Sequence, residues 1–406
     1  MFLATMAILG FAYRSRVLLA LFEAGAAYLV LSYLYVLLAS KRISVTREVL
    51  SRAYEEDLVV VGLTLRNTGF CPLYMAEIQD WCPIEAVPGK TLVVPEVPGR
   101  ARPIRLRYEA RCERGRGRFT IGPIQITVTD PVGLFRRTRR VAELSELVVY
   151  PRPFAIHDLG IQGLQSMSLV ETANPQSVGA TPLFYGTREY QPGDNPRWIH
   201  WRSSARWGQL VVKEFEAPAN VALTCFLDLD RSTLCGVGRG TNVELGIRIA
   251  AAAAQFAEFH GHPFQLIADG EEPIVLPPRI GRPALMSGLD ALAHCRPGRT
   301  PYLDLLKRGS QFVGEGSAVL LLINRLDFDR EAIFEVLADW LHKRVRGIAV
   351  LMDERTFVPR DEMHGPRDPS RIPSACDFFR SMGYSLFTIR AGDDLEKIFA
   401  SAEAVA

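Results

Sequence analysis

The sequence has 406 residues, 48% of them hydrophobic, which is enough for two or more folded domains and excludes a single small domain. Its 47 lysines and arginines against 45 aspartates and glutamates give a net charge of +2, so bulk charge gives no reason to expect nucleic acid as a partner. The seven cysteines are widely spread and form no Cys-x-x-Cys pair, which favours free thiols in a reducing compartment over a disulfide framework or a zinc site.

The N-terminus is apolar over a length that fits a membrane helix. Residues 17–39 contain one charge, Glu23, and match the ~20 apolar residues that a membrane-spanning helix needs. The run is longer than the core of a cleavable signal peptide and has no Ala-x-Ala site behind it, so we predict a retained anchor in the lipid bilayer. The shorter apolar segment from Phe2 to Tyr13 fits a first membrane helix, a re-entrant piece or an interfacial one, so the anchor is single-pass or two-pass.

Positive charges flank the predicted span on both sides. Arg14 and Arg16 precede it, and Lys41, Arg42 and Arg47 follow it, a small excess that favours a cytoplasmic body by the positive-inside rule. The cysteine usage favours the same side. We therefore predict a protein of the cell membrane whose soluble body lies in the cytoplasm.

Residues 43–150 show the alternating pattern of β-strands, interrupted by turns at short intervals. The clearest predicted strands run from Leu58 to Leu65, from Ile104 to Tyr108 and from Phe119 to Val128, the last with a bulge or an edge position at Gly122-Pro123. This spacing predicts a small β-sandwich. Residues 151–182 are rich in Pro, Gly, Ser and Gln without clear periodicity and predict a linker.

Residues 188–206 crowd charges, tryptophans and turn-forming residues between two strand-like segments. Pro192-Gly193 favours a type II turn, because proline presets φ at the second position and glycine accepts positive φ at the third. Asp194 is then placed to cap a following helix, and Pro196 suits the first turn of that helix. Five residues recur at three- and four-residue spacing and are predicted to share one helix face: Trp198, Trp201, Arg202, Ala205 and Arg206.

From Asn220 onward, strand-like and helix-like segments alternate, which predicts an α/β layer fold with a mainly parallel sheet covered on both faces. The predicted strands are Val221 to Asp228, Pro263 to Ile267, Ala318 to Ile323, Gly347 to Met352 and Tyr384 to Ile389. The predicted helices are Asn242 to His260, Pro283 to His294, Asp329 to Arg344 and Ile372 to Met382.

Three segments together resemble a known family: the turn Asp130-Pro131-Val132-Gly133-Leu134-Phe135, the 188–206 segment, and the strand-like residues 210–216. The chain resembles the bacterial domain of unknown function 58 family over most of its length. The resemblance implies a multi-domain protein with an N-terminal transmembrane helix, a small β-sandwich-like module and a C-terminal α/β domain of the von Willebrand factor A-like (Rossmann-like) type. The predicted parts are residues 1–42 (membrane anchor), 43–150 (β-rich module), 151–219 (linker and family signature) and 220–406 (A-like domain).

The resemblance also carries a functional expectation. Proteins similar to this one often occur beside a MoxR-type AAA+ ATPase, and their A-like domain is associated with protein–protein contact. The chain itself has no P-loop, so it is not expected to hydrolyse nucleotide. We therefore predict a non-enzymatic membrane scaffold or adaptor that works with such an ATPase and with client proteins in the assembly of a complex, and that does not bind nucleic acid.

Three interpretations of the 188–206 segment remain open. With residues up to 216 included, five cations against four carboxylates suggest a fold-holding network of partly buried ion pairs, whereas the Trp and Arg content suits a docking surface. The third interpretation is a hydrolase site in which His200 acts as acid or base and Asp194 helps it. No nucleophile motif accompanies these residues, and the family pattern usually has Asp at position 200. We predict no catalytic residue and the following interaction or structural residues: Arg188, Tyr190, Gly193, Asp194, Arg197, Trp201, Ala205, Arg206 and Glu214.

A metal site is a separate expectation. Oxygen-bearing side chains follow the first strand of the α/β region, where ligands collect in open α/β sheets. In the A-like family the metal motif begins Asp-x-Ser-x-Ser, and this chain has Asp228-Leu229-Asp230-Arg231-Ser232. Such oxygen ligands suit Mg²⁺ or Ca²⁺, but Arg231 would fill the place of a metal by pairing with Asp228. We predict no obligatory cofactor, with Mg²⁺ or Ca²⁺ at Asp228, Asp230 and Ser232 as the alternative, in a metal-dependent ligand-binding protein.

Overall fold

The computed structural model describes residues 2–100, 102–161, 183–191, 194, 196–216, 221–358 and 371–400. The chain divides into two compact units, residues 1–152 with 289–294 and residues 153–288 with 295–406. Most of the predicted linker lies outside the described residues.

Two helices open the first unit, α1 (Phe2–Ala12) and α2 (Arg16–Lys41). Helix α2 is long and apolar enough to cross a membrane, as its sequence predicts. Helix α1 packs against it, and a Cβ on Gly10 would lie only 3.2 Å from Leu19. The buried residues of α2 all lie in its C-terminal half, at Ser32, Val36, Ala39 and Ser40, so one face of its last turns packs on the rest of the unit.

Ten strands follow and confirm the β-rich region. They form three sheets, ordered β1-β3-β6, β2-β10-β7 and β5-β4-β8-β9, around one hydrophobic core. The strands are β1 (Ile43–Glu48), β2 (Arg52–Tyr54), β3 (Leu58–Asn67), β4 (Leu73–Asp80), β5 (Lys90–Val97), β6 (Ile104–Arg111), β7 (Gly117–Ile121), β8 (Ile124–Thr129), β9 (Arg136–Val141) and β10 (Ser145–Tyr150).

The predicted single strand from Phe119 to Val128 is wrong, because β7 and β8 belong to different sheets. The chain crosses from one sheet to the other at Gly122, whose φ is +110°. A Cβ at this position would lie 2.3 Å from the carbonyl oxygen of Glu143. Glycine is therefore required at the crossing, both for its backbone conformation and for the close approach of the chain segment before β10.

A buried ion pair lies in the core of this module. Strand alternation turns Arg47 of β1 inward beside Ile43 and Val45, and its guanidinium forks onto the carboxylate of Asp80 at the end of β4. Arg47 also donates to the carbonyls of Ile121 and Glu143, each at 2.9 Å. Both charged side chains are essentially inaccessible to solvent, and these hydrogen bonds offset part of the cost of burying them.

The second unit contains the hairpin strands β11 (Leu183–Glu189) and β12 (Val211–Glu216), with helix α3 (Trp201–Trp207) between them. Its C-terminal part is the predicted α/β region. The elements are β13 (Leu223–Leu227), α4 (Asn242–His260), β14 (Phe264–Asp269), β15 (Pro273–Arg279), α5 (Arg282–His294), α6 (Tyr302–Gly309), β16 (Ala318–Ile323), α7 (Arg330–His342), β17 (Arg346–Met352), α8 (Arg371–Ser381), β18 (Ser385–Ile389) and α9 (Leu395–Ala400). Of helix α5, residues 289–294 are counted with the first unit.

Six of these strands form one mixed sheet in the order β15-β14-β13-β16-β17-β18, in which β15 alone is antiparallel to its neighbour. The strand order reverses between β13 and β16, and open α/β sheets bind ligands at the carboxyl ends of the strands beside such a switch point. Strand β15 was not predicted, because its prolines at 273, 277 and 278 argue against a strand when only the sequence is considered. The structure accommodates them because β15 lies at the edge of the sheet, where proline is tolerated.

Candidate functional site

The family signature forms a β-hairpin with a helical insertion, here called the signature hairpin (residues 183–216). Strands β11 and β12 pair antiparallel, and the amide of Tyr190 donates to the carbonyl of Leu210 at 2.9 Å. The returning chain is tied to β12 as well, because the amide of His200 donates to the carbonyl of Val211 at 2.8 Å. These contacts fix the insertion at the end of a two-stranded ribbon.

Asp194 closes the first turn of the insertion rather than capping its helix. Both carboxylate oxygens of Asp194 accept from the Arg188 guanidinium, at 2.7 and 2.8 Å, and one also accepts from the amide of Gln191 at 2.8 Å. The Arg188 guanidinium, with help from the Gln191 amide, lowers the pKa of the Asp194 carboxyl. The prediction of Asp194 as a helix cap is therefore wrong, since its oxygens bind upstream donors. Pro192 and Gly193, and with them the predicted type II turn, lie outside the described residues.

Helix α3 begins one residue after His200, which is its N-cap. The Nδ1 atom of His200 accepts from the amide of Ser203 at 3.2 Å and lies 2.7 Å from the Ser203 hydroxyl. Ser204 joins the helix to the sheet, because its hydroxyl accepts from the amide of Val211 at 3.0 Å and donates to the carbonyl of His200 at 3.1 Å. Gly208 ends the helix with a φ of +70°, the left-handed conformation that glycine adopts at no cost.

The indoles of the insertion face solvent. Trp198 lies in a separate 3₁₀ turn, Pro196–Trp198, ahead of the cap, so the predicted single helix face is wrong for this residue. Trp198, Trp201 and Trp207 expose 40%, 67% and 60% of their surface. Four further insertion residues are exposed beside them: Arg197, Arg202, Ala205 and Arg206. We call the three tryptophans and three arginines the Trp–Arg surface. Trp207 was absent from the predicted site, although its place one turn and a half after Trp201 was visible in the sequence.

Tyr190 is half-buried at the end of β11. Gly193 lies outside the described residues, and for Glu214 the backbone alone is described, within β12. The ion pair of Arg188 and Asp194 lies at the surface rather than in a buried network.

A second cluster follows β13 at the switch point of the six-stranded sheet. Asp228 is buried, and its carboxylate accepts from the amide of Asp230 at 2.9 Å and from the Thr233 hydroxyl at 3.3 Å. Asp230 in turn accepts from the amide and hydroxyl of Ser232, at 2.9 and 2.8 Å. Asn324, which follows β16, donates to the Asp228 carbonyl at 2.8 Å. The structure thus brings together the three residues of the predicted metal motif, held by hydrogen bonds within their own loop.

Burial raises the pKa of Asp228 to about 6, and the nearby charge of Asp230 adds to the rise, while hydrogen bonds from the Asp230 and Asn324 amides oppose it. Within the described ranges, no group of three or more His, Cys, Asp or Glu side chains is arranged to hold a metal ion. Two buried oxygens of the same strand ends, Oδ1 of Asn324 and Oδ1 of Asp353, accept no hydrogen bond from the described residues. The loop therefore offers oxygen donors to a cation, but not a preformed carboxylate cage.

Comparisons with known proteins agree with the sequence resemblance. A curated relative, the "Uncharacterized protein YeaD" of Bacillus subtilis (strain 168), is 30% identical over 183 residues, which are 43% of this chain and 44% of that protein. The chain thus matches less than half of that relative's length.

Two of the similar solved structures are the CARDB domain of the PF1109 protein from Pyrococcus furiosus and the cohesin module of a family 33 glycoside hydrolase from Clostridium perfringens. The first is 13% identical with a TM-score of 0.20 and covers 26% of this chain and 91% of that chain. The second is 14% identical with a TM-score of 0.20 and covers 27% of this chain and 98% of that chain. TM-scores this low carry no argument about fold or function.

The family model described as "Protein of unknown function DUF58" matches residues 186–350, from the signature hairpin through β17. This segment of the chain belongs to the DUF58 family.

Proposed function

We propose that this protein is a membrane-anchored, non-enzymatic adaptor that docks protein partners on the Trp–Arg surface of the signature hairpin. The observation that carries the proposal is the exposure of Trp198, Trp201 and Trp207 within ten residues of chain. Tryptophan and arginine are the residue types most enriched at binding hot spots, where they fill pockets of the partner. Large exposed apolar patches on proteins mark interaction sites, and three exposed indoles in so short a segment are a candidate for one.

The partner of this proposal is a MoxR-type AAA+ ATPase together with its client proteins, on the cytoplasmic side of the membrane. The α/β region is proposed to be a von Willebrand A-like domain. Its strand order and its single antiparallel edge strand support that assignment, and so does the Asp-rich loop at the switch point. A Mg²⁺ or Ca²⁺ ion held by Asp228, Asp230 and Ser232 is the alternative to a metal-free domain. Calorimetric titration of the full chain with either ion at pH 7 and a thermal-shift measurement test it: the absence of both heat and a thermal shift would exclude the ion.

The adaptor proposal is tested by in-membrane crosslinking followed by co-purification of the detergent-solubilised full chain. The Arg197→Ala/Trp201→Ala variant is compared with Trp81→Ala, which removes a half-exposed tryptophan of the β-rich module. We expect recovery of the ATPase or client to fall at least tenfold in the double variant, because truncating one hot-spot residue costs about 2 kcal/mol or more, and to persist in Trp81→Ala. Recovery of no ATPase or client by the wild type, or equal recovery by a folded double variant, would refute the adaptor.

A hydrolase is the second candidate, because His200 Nδ1 lies 2.7 Å from the hydroxyl of Ser203. That contact resembles a base beside a nucleophile. Two observations favour the adaptor instead. The same nitrogen accepts from the Ser203 amide, as a helix cap does, and the proposed helper Asp194 has both oxygens on Arg188.

A further inference from the structure

We infer that the end of the β-rich module beside helix α2 is a lipid-binding surface, whose ligand is the headgroup region of an anionic phospholipid bilayer. The surface consists of two loops, residues 68–72 and 130–135, and of strand β9. The inference rests on the proposed anchoring of the chain by α2, and is independent of the Trp–Arg surface.

The two loops lie alongside the helix, well before its end. The Tyr35 hydroxyl donates to the carbonyl of Pro72 at 2.6 Å, and the rings of Tyr33 and Phe135 meet edge to face with centroids 5.8 Å apart. Further along, the Arg139 guanidinium donates to the carbonyls of Ser40 and Lys41 at 3.3 and 3.2 Å. Because an α-helix rises 1.5 Å per residue, the loop contact at Tyr33 lies about 12 Å ahead of Lys41 along the helix.

These contacts fix the position of the bilayer. Irregular backbone exposed to lipid cannot lie in hydrocarbon, because its polar groups would have no hydrogen-bond partners there. The hydrocarbon layer of the bilayer must therefore end near Tyr33, and tyrosines favour the membrane interface that begins at this depth. On this inference the part of α2 left for hydrocarbon runs from Arg16 to Ser32 and is about 25 Å long, shorter than the predicted span of residues 17–39. The interface must begin at the loops themselves, so the module cannot stand away from the membrane.

The loops present apolar side chains at this level. Val132 and Leu134 expose 63% and 56% of their surface on the 130–135 loop, and Phe70 is exposed on the other loop. The 130–135 loop is held in shape by Asp130, whose buried carboxylate accepts from the amide of Phe135 at 2.6 Å and from the amide of Val132 at 3.3 Å. Two ordered loops with apolar tips on either side of a membrane helix match a surface that inserts into the boundary between headgroups and acyl chains.

Arginines complete the surface. Strand β9 is an exposed edge strand with arginines at 136, 137, 139 and 140, and Arg139 ties it to the end of α2. The guanidinium of Arg100 lies 3.6 Å above the ring of Phe70. Arginine recognises phosphate oxygens bidentately, and basic residues beside a membrane helix attract anionic headgroups. Anionic lipid is favoured over a protein occupant, because the surface is continuous with the proposed membrane helix.

The test uses the full chain reconstituted in nanodiscs of phosphatidylcholine with about one third phosphatidylglycerol, a fraction that supplies anionic headgroups around the anchor. A polarity-sensitive fluorophore is placed at Val132→Cys in a Cys71→Ser background, since Cys71 is the native exposed thiol among the described residues. The matched control is Val87→Cys. Val87 is 80% exposed and lies between β4 and β5, beyond the Asp80 end of β4, whereas the lipid-facing loops flank its Leu73 end.

We expect the label at position 132 to be blue-shifted and quenched by lipid-borne quenchers at least fivefold more than the label at position 87. Equal quenching at the two positions would overturn the inference. Alkaline extraction of the wild-type chain from membranes separates this failure from failure of the anchor. If the chain stays in the membrane but the label at position 132 is exposed to water, the lipid surface alone is refuted. If the chain is extracted, both the anchor and the lipid surface are refuted.

The role of anionic lipid is tested with Arg137→Gln/Arg140→Gln. We expect this variant to lose at least half of the quenching at position 132, and nanodiscs of pure phosphatidylcholine to have the same effect on the wild type. The control Arg111→Gln/Arg118→Gln, at exposed positions of β6 and β7, should leave quenching unchanged. Quenching that depends on neither the arginines nor phosphatidylglycerol would refute anionic lipid as the ligand.

Discussion

Replacing Asp80 by alanine should destabilise the β-rich module strongly and leave the α/β region intact. The substitution removes the acceptor for the two nitrogens of Arg47 that fork onto Asp80, and for the Tyr108 hydroxyl, which donates to Asp80 at 2.8 Å. Arg47 would keep its bonds to the carbonyls of Ile121 and Glu143, but its charge would be buried without a counter-charge.

The size of the effect follows from that burial. The Arg47 side chain has no exposed surface, so water cannot replace the lost carboxylate without opening the core. Breaking a fully buried pair by removing one partner costs about 3–5 kcal/mol, of which the stranded charge is the main part. A cost in this range increases the population of the opened module by roughly two to three and a half orders of magnitude.

Native-state hydrogen exchange of the full chain in detergent measures this population peptide by peptide. Peptides of β3 and β6 should exchange faster by that factor in Asp80→Ala, whereas peptides of β13 and β16 should not change. The matched control is Glu146→Ala, which breaks the exposed pair Arg118–Glu146 and should cost less than about 1 kcal/mol. A change in β3 no larger than that of the control would show that the pair contributes little, and would refute the reasoning.

Two further predictions concern the second unit. The pKa of Asp228 is raised to about 6, so between about pH 4 and pH 6 the folded state keeps a proton that the unfolded state releases. The free energy of unfolding should therefore fall by up to about 3 kcal/mol as pH rises through this window. Thermal unfolding of wild type against Asp228→Asn checks this, and parallel pH curves would contradict it. The His200→Asn variant keeps an N-cap acceptor for Ser203 but removes the acid–base group, so the melting temperature and cellular phenotype should both be preserved. Loss of phenotype with a folded protein would revive the hydrolase.

Helix α4 shows which elements the sequence could predict. An alanine-rich apolar run lies between a capping residue and a glycine, and the structure uses both: the Thr241 hydroxyl accepts from the amide of Glu244, and Gly261 takes a φ of +73°. Every determinant of this helix is local, so the predicted and observed boundaries coincide. The buried strand β16 was predicted to the residue for the same reason.

The errors have a common physical origin in partners that lie elsewhere in the chain or in space. Gly122 resembled a bulge, and what makes it a crossing point is the carbonyl of Glu143, which no local pattern shows. Asp194 met the local rule for a cap, but Arg188 on the preceding strand binds it first. The sequence put Trp201 among the predicted site residues, yet the exposure of Trp198, Trp201 and Trp207 depends on how the insertion packs on its two-stranded ribbon.

The packing of the last turns of α2 on the β-rich module has a consequence for where the protein can reside. Those turns pack on the module, so in the proposed membrane anchor the apolar length left for the bilayer is about 25 Å, less than the ~30 Å of a typical hydrocarbon core. A thicker bilayer would have to thin around the proposed anchor, because tilting a helix that is already too short would reduce the thickness it can span still further. Hydrophobic mismatch should therefore partition the chain laterally into thin regions of the membrane.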